Sequence, residues 1–200
     1  MRTAAGVTEG PIRVTGGEWR GTLLFTPPGL TARPALSRVR GALFNIFGPL
    51  DGATVLDFFA GTGALGFEAL SRGAAQAVFF ERDGDCLEAI RRSAAKVRAG
   101  ERARVEAGDV AAGLERVRGL GADLAFVDPP YALIDGEESR PGFLGFLAAL
   151  PAGGAVRPGG LVCVEHRRGV RLDPPPGYEP DDRREWGQTA VTFFRTRGSA

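Results

Sequence analysis

The sequence predicts an α/β fold: a mainly parallel sheet with helices on both faces, preceded by a short β-hairpin and a helix. From residue 53 onward, strand-sized apolar runs alternate with helical stretches, the pattern of strands buried on both sides. A glycine-rich turn, Ala60-Gly61-Thr62-Gly63-Ala64-Leu65-Gly66, joins the first of these runs to its helix. Size agrees: 200 residues, 44% apolar and 24% charged, suit one globular domain with an extension. The extension is expected over residues 1–50 and the main domain over 51–200.

Ile12-Arg13-Val14-Thr15 and Thr22-Leu23-Leu24-Phe25 flank the turn Gly16-Gly17-Glu18-Trp19-Arg20-Gly21 and predict the hairpin. Pro27-Pro28-Gly29 breaks the chain. From Ser37 a helix places Val39, Leu43, Phe44, Ile46 and Phe47 on one face, and Gly48-Pro49 stops it. Thr54–Asp57 is the first strand of the main sheet, and its helix runs to about Arg72. Ala77–Glu81 is the second strand, followed by a helix from Asp83 to about Arg98. Arg104–Glu106 is the third, with a short helix over Val110–Val117 behind it. Leu124–Val127 is the fourth; a helix near Phe143–Leu150 leads to the fifth, Leu161–Glu165. The remainder reads as a loop around Pro174-Pro175-Pro176-Gly177 and a closing strand, Thr189–Phe194.

No apolar run approaches a membrane span, and the first residues lack a signal-like apolar block, so a cytoplasmic protein is expected; separately, a monomer is expected. Cys86 and Cys163 have no His or Cys partners at metal-ligand spacing and are expected as buried thiols, with no metal site. The net charge of +1 argues against binding nucleic acid by bulk charge, yet the first 50 residues carry six arginines against Glu9 and Glu18. Such asymmetry suits one end touching phosphates, or a solvated basic face in a chain whose one lysine is Lys96.

Gly61, Gly63 and Gly66 match a dinucleotide fingerprint, with Glu81 about 20 residues on, where a carboxylate can hold ribose hydroxyls. Asp57 argues for a different ligand. A carboxylate four residues before Gly61 repels a pyrophosphate but favours the cationic amino group and sulfonium of S-adenosylmethionine. Asp109 is placed to accept from an adenine amino group, to cap the helix that follows, or both.

Asp128-Pro129-Pro130-Tyr131 ends the fourth strand. Each proline fixes φ near −65° and lacks an N–H, so the Asp128 and Pro129 carbonyls are held in place. Carboxylate and carbonyl oxygens accept, and an amino group offers two donors. Together with a stacking ring at Tyr131, the motif predicts methyl transfer to the exocyclic amino group of a nucleic-acid base. His166, the one histidine, is expected at a cleft edge or in solvent, and Trp19 and Trp186 in packing roles.

The pairing of Asp57-Phe58-Phe59-Ala60-Gly61-Thr62-Gly63 with Asp128-Pro129-Pro130-Tyr131 resembles the class I amino-methyltransferases of nucleic-acid bases. Gly16-Gly17-Glu18-Trp19-Arg20-Gly21, Arg33-Pro34 and Arg38-Val39-Arg40-Gly41-Ala42-Leu43-Phe44-Asn45 resemble, more closely, the RsmD-type methyltransferases. The resemblance runs from about Ile12 to the last strand. It implies a Rossmann-like class I methyltransferase fold, S-adenosylmethionine as donor, and N2 of a guanine in small-subunit ribosomal RNA, within a ribosomal particle, as target. Asp128, Pro129 and Tyr131 are then the catalytic set; Asp57, Gly61, Gly63, Glu81 and Asp109 hold the cofactor; Arg20, Arg33, Arg38 and Arg40 contact RNA. Ala35 and Gly41 depart from the family pattern of threonine and glutamate. A DNA amino-methyltransferase and a non-catalytic module binding RNA and cofactor are the competing readings, the first disfavoured by the lack of a separate target-recognition domain.

Overall fold

The computed structural model describes residues 6–29 and 34–198, the side chains of 34–38 excepted. Among these residues β1 (Thr8–Arg13) and β2 (Leu23–Thr26) form an antiparallel hairpin. A seven-stranded sheet has the order β5-β4-β3-β6-β7-β9-β8, numbered along the chain as β3 (Thr54–Phe58), β4 (Gln76–Glu81), β5 (Ala103–Ala107), β6 (Ala122–Val127), β7 (Val156–Arg167), β8 (Tyr178–Trp186) and β9 (Thr189–Thr196). Helices join the successive strands from β3 to β7. The chain divides into two compact units, one holding the described residues up to Ala53 together with Ala60–Gly108, the other Thr54–Phe59 with Asp109 onward.

In the first unit β4 and β5 run parallel, from Ala77 beside Ala103 to Glu81 beside Ala107. Helix α2 (Ala64–Ser71) packs on β4 so closely that a Cβ at Gly66 would stand 2.3 Å from the Phe79 ring. That contact explains the third glycine of the turn: it serves packing. The hairpin is docked by buried Glu68 of α2. Its carboxylate accepts from the Thr15 main chain at 2.8 Å, the Thr15 hydroxyl at 2.7 Å, Arg40 Nε at 3.4 Å and Arg72 Nε at 2.9 Å. Arg40 arrives on α1 (Pro34–Phe47). The hairpin turn over residues 16–21 closes against the end of α2, where Glu18 N–H donates to the Ser71 carbonyl at 2.7 Å. Buried Trp19 donates its main-chain N–H to Ser71 Oγ, and Arg102 lies over its ring. On the other side, Phe25 is gripped by α3 (Gly84–Lys96), its N–H donating to Ser93 Oγ and its ring lying 4.1 Å from the Arg92 guanidinium.

In the second unit β3, β6 and β7 are parallel, with Phe58 beside Val127 and Val127 beside Val164. β9 runs antiparallel to β7, and β8 antiparallel to β9. Helix α6 (Arg140–Ala152) packs Phe146 edge-on to Phe58, ring centroids 5.1 Å apart. Residues 178–186, read from sequence as loop, form an edge strand. Its run of acids and arginines hides the strand signal, but such charges suit an exposed edge because they oppose pairing with another chain. Glu185 pairs with Arg168 and Arg183, and Asp181 with Arg195. A second unexpected element, α5 (Tyr131–Asp135), starts at the last residue of the Asp-Pro-Pro-Tyr motif. Pro130 ends the extended segment at φ −50°, and its carbonyl accepts from Leu133 N–H at 2.9 Å.

Candidate functional site

The glycine turn leaves β3 through Phe59, a non-glycine residue held at φ 61°, where a Cβ is disfavoured. Gly61 at φ 55° and Gly63 at φ 75° follow, and Gly63 caps α2. A Cβ on Gly61 would meet nothing within 4 Å, so glycine here answers a demand of the backbone. Gly61 N–H donates to Glu81 Oε2 at 2.7 Å, while Glu81 Oε1 accepts from the N–H groups of Arg82 and Asp83. Three of a carboxylate's roughly four acceptor positions are therefore taken by main chain, and the one left lies on Oε2. The Gly61 N–H that a pyrophosphate would need is occupied by an anion. The turn fits the donor lacking phosphates better than a dinucleotide.

In the second unit Asp57 lies in β3 opposite Phe126 of β6 and is buried. Asp128 follows the last paired residue of β6, and its N–H reaches the Phe58 carbonyl at 3.4 Å. The motif stands at the C-terminal ends of three parallel strands, the usual ligand side of such sheets. Asp128 is exposed to solvent, yet desolvation by the protein atoms around its carboxyl pushes it up to about 6. Val127 and Val164 are the last register pair of β6 and β7, and Glu165 follows Val164 at the same end as Asp128. Desolvation and the Asp128 charge push the Glu165 carboxyl up as well. Tyr131 has the Arg167 guanidinium 4.7 Å from its ring centroid, and Arg167 pairs with Asp135 at 2.7 Å. The Tyr131 hydroxyl approaches Thr189 Oγ1 at 3.4 Å.

The remaining expected residues fall differently. Asp109 is the N-cap of α4 (Val110–Gly113), accepting from Ala111 N–H at 2.9 Å, and its side chain stays exposed. Arg20 is exposed. Arg33 lies outside the described residues, as does the side chain of Arg38. Arg40 requires a correction: it is 7% exposed, paired with Glu68, and donates to the Arg13 carbonyl at 2.7 Å, so its guanidinium faces inward. Burial lowers its pKa, opposed by the attraction of Glu68. His166 is also buried, against the expectation of a cleft edge. Its Nδ1–H donates to the Arg167 carbonyl at 2.8 Å, because a carbonyl can only accept, and Nε2 accepts from the Thr192 hydroxyl at 2.7 Å. Burial pushes the imidazole below its ordinary pKa; it is a neutral structural residue. Cys163 is buried as expected and Cys86 is half-buried. Sequence reasoning passed over Glu165, and read Arg167 with Arg168 only as RNA-facing or a charged loop. The missed signal is positional: Glu165 closes an apolar run, as Asp57 and Glu81 do.

A family model described as conserved hypothetical protein 95 matches residues 12–195. A Bacillus subtilis protein named "Putative rRNA methyltransferase YlbH" is 31% identical over 191 residues, spanning 94% of this chain and 100% of the relative. The "Ribosomal RNA small subunit methyltransferase D" of Escherichia coli K12 is 42% identical over 124 residues, 62% of each protein. Among solved structures, "Putative methyltransferase yhhF" from Escherichia coli superposes with a TM-score of 0.77 at 33% identity, covering 94% of this chain and 99% of that one.

Proposed function

The chain belongs to the family described as conserved hypothetical protein 95, and from that premise we propose that it methylates N2 of a guanine in small-subunit ribosomal RNA, with S-adenosylmethionine as donor. The observation that carries this reading is the position of Asp128-Pro129-Pro130-Tyr131 just beyond the paired ends of β3, β6 and β7. A DNA amino-methyltransferase shares the acceptor chemistry, but the relatives named above are methyltransferases of ribosomal RNA.

The donor supplies an electrophilic methyl group on a sulfonium. Glu81, braced by three main-chain N–H groups, offers its free Oε2 position to one ribose hydroxyl. Gly61 and Gly63 keep the turn bare of side chains, Asp57 favours the cationic end, and Asp109 accepts from the adenine amino group while capping α4. The target base is turned out of its stack, which costs a few kcal/mol and less in a loop than in a duplex. It lies against the face of Tyr131 opposite Arg167. Asp128 and the Pro129 carbonyl accept from the amino group, turning the nitrogen lone pair toward the methyl carbon. The N–C bond forms as the C–S bond breaks with its electrons on sulfur. The amino proton, acidified by methylation, passes to Asp128 or to water. Arg20, with Arg33 and Arg38, contacts RNA phosphates; Arg40 is left out of that set because Glu68 holds it.

Labelled S-adenosylmethionine is offered with small ribosomal particles, naked RNA and DNA, and the methylated nucleoside is identified by mass spectrometry. N2-methylguanosine from the particles is the expected product. Methylation confined to DNA overturns the proposal, and near-normal turnover of Asp128→Ala with donor binding intact overturns the role of Asp128.

A further inference from the structure

The Asp-Pro-Pro-Tyr motif grips an amino group but does not itself distinguish guanine from adenine or cytosine. The neighbouring strand supplies a second acceptor. Val127 and Val164 are register partners in parallel strands, so the residues after them, Asp128 and Glu165, come side by side at the same end of the sheet, and the charge of Asp128 acts on Glu165. Glu165 is half-buried, and among the described residues no arginine or lysine pairs with it or with Asp128. Elsewhere in the chain, ion pairs tie up many acids: Asp123 with Arg157, Asp135 with Arg167, Glu185 with Arg168. Two adjacent, unneutralised carboxyls, both partly desolvated, are unfavourable for folding unless they share a proton or meet donors from a ligand. A pair sharing one proton still presents acceptor oxygens on both residues.

We propose that Glu165 selects guanine by accepting from ring N1–H while Asp128 accepts from the adjoining N2 amino group. Guanine alone among the amino-bearing bases places a ring N–H next to its exocyclic amine. Adenine and cytosine present an unprotonated ring nitrogen there, whose lone pair would face a carboxyl oxygen. A partly desolvated acceptor built for one donor rejects the analogue that lacks it. Glu165 is a specificity-determining residue, and its assignment rests on the guanine-N2 reading above.

The test locates the guanosine methylated by the wild type, then replaces it with 2-aminopurine in reconstituted small ribosomal particles. This base keeps the 2-amino group, exchanges N1–H for a lone pair and lacks O6, so the change in preference caused by Glu165→Gln, and not the wild-type preference alone, reads the N1–H contact. The wild type is expected to prefer guanine by on the order of 100-fold in kcat/KM. Glu165→Gln, whose amide can either accept or donate, is expected to narrow that preference by about tenfold or more, with donor affinity unchanged. Equal wild-type rates on the two bases, or a preference unaltered in Glu165→Gln, overturns the role of Glu165 while leaving guanine methylation standing. Absence of guanine N2 methylation by the wild type sinks both. Equal wild-type rates overturn the role even if the variant does not fold.

Discussion

The main-chain N–H of Gly61 donates to the Glu81 carboxylate at 2.7 Å, tying the glycine turn after β3 to the C-terminal end of β4. The bond sets the turn's shape and leaves one acceptor position for a ligand. Glu81→Ala removes both functions, and a hydrogen bond to a charged group contributes about 1.5–3 kcal/mol. Donor affinity measured by calorimetry is expected to fall by about tenfold or more. An unchanged Kd would limit Glu81 to bracing the turn.

Glu68 holds Arg40, Arg72 and Thr15 together beneath the hairpin. Removing one member of a buried ion pair leaves its partner uncompensated, at about 3–5 kcal/mol. Glu68→Ala should lose about that much in urea unfolding. Arg40→Ala is expected to lower stability in step with any loss of RNA affinity. Weaker RNA binding at full stability would return Arg40 to the phosphate contacts.

Two glycines should respond in opposite directions to alanine. At Gly41 a new Cβ would lie 3.8 Å from Thr15 Oγ1, an ordinary contact inside a helix, so Gly41→Ala is expected to stabilise by about 0.5–1 kcal/mol. At Gly66 the Cβ meets the Phe79 ring at 2.3 Å, and overpacking of this kind costs about 1–3 kcal/mol. Thermal midpoints of the two variants check both signs.

The Asp128–Glu165 pair predicts a pH dependence. Desolvation raises both carboxyls, to about 6 and about 8, and Asp128 pushes Glu165 further. The folded protein thus binds these protons more tightly than the unfolded chain, whose carboxylates titrate near pH 4. Their contribution to stability is fully present below about pH 4 and is lost as pH rises through 6 and then 8. Melting temperature against pH should decline over this window, and Glu165→Gln should flatten its upper part. Methylation should rise through about pH 6 as Asp128 ionises. A Glu165→Gln melting profile parallel to the wild type would separate Glu165 from the pair.

Alternating apolar strands and helical stretches, the bare turn from Asp57 to Gly66, and the Asp-Pro-Pro-Tyr strand end are local patterns, legible in the sequence because backbone geometry and hydrophobic periodicity act over a few residues. They determined the α/β fold and most of the proposed site. Tertiary structure decided what depends on distant partners. Arg40 and Arg20 look alike in sequence, yet one meets a buried Glu68, 28 positions on, and the other stays in solvent. Glu165 lies 37 positions from Asp128, and the parallel register of β6 and β7 makes them neighbours. Strand β8 exists because β9 gives its backbone hydrogen-bond partners, although its charged residues have little local strand preference. A side chain's charge and shape are properties of the sequence; its partner is set by strand register and helix packing.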